Sequence, residues 1–133
     1  MSESEVRAIP QGLKVHRYEL DGGWEVWAGK SQEDNDRLSI KIASPNDWWF
    51  HVRGMPGSHV VLFVSGGPEP PRSTVKEAAA IAAYHSKARE GGLVPVAACR
   101  ARYVTKPPKA KPGTVSIRKE EVIKVRPKVP AAA

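Results

Sequence analysis

Residues 46–64 constrain the fold more than any other stretch. From Asp47 to Arg53 the side chains divide with a two-residue period, so that Trp48, Phe50 and Val52 fall on one face of a strand. Asp47, Trp49, His51 and Arg53 fall on the other. Gly54-Met55-Pro56-Gly57 follows, a turn in which the glycines permit positive φ and the proline fixes the chain. Val60-Val61-Leu62-Phe63-Val64 is apolar without alternation, the pattern of a strand buried on both faces. The expectation is a hairpin over residues 47–53 and 59–64 whose second strand lies centrally in a sheet.

The remaining elements follow from local signals. Asp21-Gly22-Gly23 marks a turn before a strand at Trp24–Ala28. Ser31, with Asp34 three residues on, opens a helix that runs to about Ile42 with Leu38 and Ile42 on one face and stops before Pro45. Thr74 and Glu77 have capping-box spacing ahead of an alanine-rich helix that ends at Gly91-Gly92, its Ile81 and Tyr84 inward and Lys76, Lys87 and Arg89 toward solvent. Short strands are expected at 94–98, 101–104, 115–117 and 122–125. The fold class is α+β: a mostly antiparallel sheet with the alanine-rich helix packed on one face and a second helix near the N-terminus. With 133 residues the chain suits one core, so 1–12 reads as a flexible lead, 13–127 as a single domain and 128–133 as a flexible tail.

Charge narrows the function classes. The net charge is +7, yet residues 1–99 are close to neutral. The excess lies in residues 100–128, where ten Lys and Arg face only Glu120 and Glu121. Clustered charge of this kind suits a polyanion, and RNA is the commonest one inside cells; the plainer reading is a solubilising face. Lys106-Pro107-Pro108-Lys109-Ala110-Lys111-Pro112-Gly113 is expected to project as a stiff basic loop, because its prolines remove backbone donors and favour extended conformations. Lys106, Lys109 and Lys111 would touch successive phosphates, with Arg100, Arg102 and Arg118 widening the patch. The single cysteine, Cys99, excludes an intramolecular disulfide, no run approaches the ~18 apolar residues of a membrane span, and the opening Met1–Glu5 has no signal-peptide character. A cytoplasmic protein is expected.

The polar face of residues 47–53 leaves alternatives open. Trp49 is either a core residue or, beside Arg53, a platform for an unpaired base. Asp47 either accepts backbone amides after Pro45 or takes part in recognition. His51 and His59, eight residues apart across the turn, either hold the turn, contact RNA, or join Asp47 in a two-histidine, one-carboxylate metal site. Ser58 and His59, adjacent on a strand, point to opposite faces and do not make a catalytic dyad. No phosphate-binding glycine loop of standard spacing is present, and neither a cofactor nor a metal is expected.

The segment Asn46, Asp47, Trp49, Phe50, His51, Gly54, Pro56, Gly57, Ser58, His59 and Val60 resembles the signature of the NFACT RNA-binding domain, NFACT-R. The similarity extends upstream through Gly29 and Asn35-Asp36-Arg37-Leu38. It departs at Lys30 and Ser31, where the family has Arg and Asn. Downstream it covers the alanine-rich helix and the late basic loop. The resemblance implies a noncatalytic RNA-binding role and adds Asn35 and Ser58 to the RNA-contacting set of Asp47, Trp49, His51, Arg53, His59, Arg100, Arg102, Lys106, Lys109, Lys111 and Arg118. In larger family members the domain belongs to factors that work with tRNA on the ribosome in quality control of stalled translation. The partners implied are tRNA or ribosomal RNA, and with them the ribosome, for a chain expected to be a stand-alone copy of the domain. The competing expectations are a metal-dependent or acid-base enzyme acting on RNA through His51, His59 and Asp47, and a protein-protein adaptor anchored by Trp49.

Overall fold

The computed structural model describes residues 7–64 and 66–131. Strands β1 (Val15–Leu20) and β2 (Trp24–Gly29) form a hairpin closed by Asp21-Gly22-Gly23, where both glycines adopt positive φ. Helix α1 (Gln32–Asp36) is capped by the Ser31 side chain, which accepts from the Asp34 amide, and passes directly into a π-helical segment, Arg37–Ile42. Then come β3 (Trp48–Val52), β4 (Val60–Leu62), α2 (Arg72–Tyr84), β5 (Val94–Arg100), β6 (Val104–Thr105), β7 (Ser116–Ile117) and β8 (Glu121–Val125). The six-stranded sheet has the order β1-β2-β4-β3-β5-β8 with every pairing antiparallel, and β6-β7 make a separate ribbon. This is the α+β architecture expected. The expected hairpin is present too, with Trp49 opposite Val61 and β4 central and wholly buried.

The period-two pattern sorts the core into two layers. Val26, Phe50, Val52, Leu62, Val96 and Ile123 face α2, whose Ala78, Ala79, Ala82 and Ala83 let the helix lie close on the sheet. On the opposite face Trp27, Trp49, Val61 and Phe63 pack against Leu13, Leu38 and Val104. Each large apolar side chain fully buried here contributes roughly 1.5–3 kcal/mol, so a one-residue slip of β3 would misplace Trp49 and Phe50 at once. Trp27 and Trp49 are buried, whereas Trp24 and Trp48 are only partly so.

Several boundaries differ from expectation, each for a packing reason. Strand β1 gives a weak sequence signal, since His16, Arg17 and Glu19 are polar and exposed. Helix α2 starts at Arg72 rather than at a Thr74 cap, and Thr74 is buried inside it. It ends at Tyr84, well before Gly91-Gly92, because His85 leaves the helix to pair with the segment ahead of β4. Residues 101–103 form a 3-10 turn, not a strand. Both ends of the described residues touch the domain: the Arg7 guanidinium lies 4.0 Å from the Phe63 ring centroid, the Lys128 amide donates to Ala80, and Val129 packs on the core. The expectations for residues 1–6, 132 and 133 lie outside the described residues. No helix among the described residues is long and apolar enough to cross a membrane.

Candidate nucleic-acid interface

Three segments far apart in sequence converge at one end of the sheet, where the chain leaves β2, approaches β4 and leaves α2. The Gly29 amide donates to His59 O, and the Ser58 hydroxyl donates to Gly29 O at 2.7 Å. The Ser58 amide donates to His85 O, and the Lys87 amide to Pro56 O. Asn35 closes the set, its side-chain oxygen accepting from the His59 amide at 3.0 Å while its nitrogen donates to Gln32. A Cβ on Gly29 would collide with that Asn35 oxygen, and one on Gly57 would lie 2.9 Å from Ser86 Cβ, so both positions need glycine for close approach of backbone.

The lacing creates an open groove of about 380 Å³ lined by Gly29–Gln32, Asn35, Pro56–Ser58, His85–Lys87 and Arg89. Among the described residues no carboxylate lines it. Its cations are Lys30, Lys87 and Arg89, all exposed, and none of the three is in an ion pair among the described residues. Arg89 lies 4.1 Å over the Tyr84 ring and donates to Tyr84 O, which holds its guanidinium at the groove. These charges register on their neighbours: the His16 pKa is lowered by burial, then by Lys30 and Arg89. His85 falls to about 4, through burial first and His16 and Arg89 after it. Both departures from the family signature are physically mild, since Lys30 keeps a positive charge and Ser31, like Asn, is a good helix cap.

The face of β3 that carried the sequence-based recognition residues is covered at Trp49 and half-covered at His51, and Asp47 just before the strand is buried as well. Trp49 is only 2 % exposed and its indole N–H donates to Ser39 Oγ at 2.8 Å, so the π-helical segment covers the ring and no base can stack on it. Asp47 is buried; its carboxylate accepts from the Ser44 and Val64 amides, the plainer of its two readings. His59 is 3 % exposed, with Nδ1 hydrogen-bonded to Ser39 Oγ at 2.8 Å and the ring also bonded to the backbone of Gly113. Its pKa drops to about 4, mainly from burial and then from His51. With Ser39 Oγ accepting from Trp49, its hydroxyl proton is directed at His59 Nδ1, which fits a neutral ring protonated on Nε2. His51 is half-buried, its ring 5.4 Å from that of His59, and its own pKa is lowered by burial. Asn35 and Ser58 line the groove, yet their side-chain oxygens serve the backbone.

The three residues of the competing reading, His51, His59 and Asp47, do not come together. Asp47 precedes the far end of β3, four residues from His51, or roughly 13 Å along an extended strand. Among the described residues no group of three His, Cys, Asp or Glu side chains is placed to hold a metal ion. The predicted arginines are also dispersed. Arg100 and Arg102 lie at the Asp47 end, away from the groove; Arg100 pairs with Glu69 and lies 4.3 Å over the Trp48 ring, and Arg102 donates to Pro45 O. Arg118 is exposed over Tyr103, and Arg53 is exposed just beyond β3.

Nor does the basic loop project as expected. Lys106 turns inward, its ammonium 2.9 Å from Asp36 and bonded to the carbonyls of Lys111 and Thr114, while the Gly113 amide donates to Asp36. Lys109 and Lys111 remain exposed on a loop strapped beside α1. Lys30, Lys87 and Arg89 were not assigned to the interface from sequence, because no local spacing joins residues from three separate segments.

The NFACT protein RNA binding domain family matches residues 14–119 of the chain. Among curated proteins, the Rqc2 homolog RqcH of Bacillus subtilis (strain 168) is 39 % identical over 118 residues, which is 89 % of this chain and 20 % of that protein. The Rqc2 homolog RqcH of Streptococcus suis (strain 05ZYH33) is 38 % identical over 120 residues, 90 % of this chain and 21 % of that protein. This chain thus spans about a fifth of the length of the curated relatives it matches. Among solved structures, the C-terminal part of the fibronectin/fibrinogen-binding protein from Streptococcus suis aligns with a TM-score of 0.81 at 33 % identity, covering 94 % of this chain and 49 % of that one.

Proposed function

The chain belongs to the NFACT RNA-binding domain family, and from that premise we propose that it binds RNA noncatalytically through the groove between Gly29–Asn35, Pro56–Ser58 and His85–Arg89. The observation that carries this reading is the charge of the groove: among the described residues Lys30, Lys87 and Arg89 are in no ion pair and no carboxylate lines the groove beside them. Desolvating a cation already satisfied by a carboxylate, such as Arg100 or Lys106, returns less than engaging one that has no carboxylate beside it. Phosphates are the ligands that such a groove favours, and Lys109 and Lys111 on the adjoining loop extend the track. A noncatalytic role is supported by the commitments of the would-be catalytic groups, since Ser58, His59 and Asp47 all spend their polar atoms holding the fold.

The partner class we assign is structured RNA of the translation apparatus, tRNA or ribosomal RNA, with a place in ribosome-associated quality control in the cytoplasm. The likeness to the Rqc2 homologs supports this. Residues 13–127 are proposed as the binding unit. Binding of tRNA, duplex RNA and unpaired RNA across a salt series, with wild type and a Lys30→Glu/Lys87→Glu/Arg89→Glu variant, tests the reading. The triple variant should lose at least about tenfold in affinity and flatten the salt dependence by up to about three phosphate contacts. An Arg100→Glu/Arg102→Glu variant should change both less. No binding by wild type at low salt, or a groove variant indistinguishable from wild type, would overturn it.

A further inference from the structure

With Trp49 sealed in the core, an RNA-binding surface still needs an aromatic face if it is to hold an unpaired base. The groove has one on its rim, contributed by β1 and the residue that ends α2. The His16 and His85 rings are stacked, their centroids 4.4 Å apart and their planes 16° from parallel. His85 is held from several sides: Nε2 is hydrogen-bonded to the Tyr18 hydroxyl at 2.6 Å, the Tyr84 ring meets it edge-on at 5.2 Å, its amide donates to Ile81 O and its carbonyl accepts from Ser58. His16 alternates with Tyr18 along β1 and lies opposite Ala28, one step from the Gly29-Lys30 corner. It is exposed, so it has one face against His85 and the other toward solvent. A ring fixed in this way by a second ring and a rigid backbone has little freedom to lose on stacking.

We propose that the His16–His85 stack is a base platform: an unpaired nucleobase lies on the open face of His16 while its flanking phosphates engage Lys30 and Arg89. This rests on the RNA-binding reading of the groove and deepens it, making a nucleotide outside a helix the preferred ligand. Two observations beyond exposure point to that ligand. Lys30 and Arg89 are close enough to His16 to act on its ring electrostatically, placing cations beside an aromatic face as a nucleotide places phosphates beside a base. Both rings also resist protonation, through burial and the surrounding cations, so near neutral pH the platform presents an uncharged π-face whose recognition is tolerant of base identity. In a duplex the bases are already stacked on one another, and the platform adds nothing.

The test compares a short unpaired RNA carrying one 2-aminopurine with a blunt duplex of matched length, using wild type, His16→Ala, His16→Phe and Lys87→Glu/Arg89→Glu proteins. His16→Ala should lose about tenfold in affinity for the unpaired RNA and leave the duplex unchanged. His16→Phe should restore binding and the 2-aminopurine quenching. An abasic nucleotide in place of 2-aminopurine should reduce wild-type affinity as much as His16→Ala does. If His16→Ala binds the unpaired RNA as wild type while Lys87→Glu/Arg89→Glu weakens it, the platform is refuted and the cationic groove stands. If wild type binds neither RNA, the groove reading falls and takes the platform with it.

Discussion

His59 is nearly sealed from solvent and sits between Ser39, Asn35 and Gly113, so its protonation reports on the packing around it. In the folded protein its pKa is lowered to about 4, by burial above all; unfolded, it titrates near 6.5. As the pH falls the unfolded chain therefore takes up the proton first, so stability is full above about pH 6.5 and declines toward pH 4. His59 should account for about 2 kcal/mol of loss between pH 7 and pH 5, and His85, also lowered to about 4, acts in the same direction. Glu25, Asp34 and Glu121 have depressed pKa values too, but their contributions fade only as the pH drops below the ordinary carboxylate range, under the histidine window. Denaturant midpoints at pH 7 and pH 5 check this: wild type should weaken and a His59→Asn variant should show a shallower change, whereas a wild-type midpoint equal at both values would contradict it. The sequence period placed Trp49 and His51 on one face correctly, but not whether that face was covered. Coverage depends on Leu38 and Ser39 arriving from a helix whose π turn no local rule indicated.

Elements joined by chain-distant polar contacts were the least legible. The irregular character of residues 106–113 followed from their prolines, and the positions of β2, β3 and β4 from alternation and apolar runs. That the loop folds back was hidden, because its anchor Asp36 lies far upstream on α1. Asp36 receives both the Lys106 ammonium and the Gly113 amide in a partly buried setting. An Asp36→Ala variant should therefore lose about 1–2 kcal/mol, since a hydrogen bond to a charged group is worth more than a neutral one. Its amides at residues 110, 111, 113 and 114 should exchange faster with deuterium than in wild type. Unchanged exchange in this loop would show that the prolines alone hold it. Helix α2 carries a similar lesson: its capping-box spacing and glycine stop were outweighed by the pairing of Gly57 with Ser86, which draws the chain out of the helix at His85.

At the scale of the whole molecule, the sequence located a basic excess after residue 99, and the fold redistributes what that excess can do. Arg100 is paired at the end of the sheet remote from the groove, and Lys106 is spent on the strap. The groove's cations, in no ion pair among the described residues, come instead from the part of the chain whose net charge is near zero, where Lys30, Lys87 and Arg89 meet only through folding. Five of the residues that carry the family resemblance, Gly29, Asn35, Pro56, Gly57 and Ser58, line this groove, and Gly29, Asn35, Gly57 and Ser58 set how closely its segments approach. The most direct measurement is photo-cross-linking of wild-type protein to RNA, followed by mass spectrometry of the joined peptides. Adducts should concentrate in peptides spanning residues 14–31 and 84–91, with fainter ones near Lys109 and Lys111. Adducts confined to the Arg100–Arg102 end of the sheet, leaving those peptides unmodified, would contradict the account.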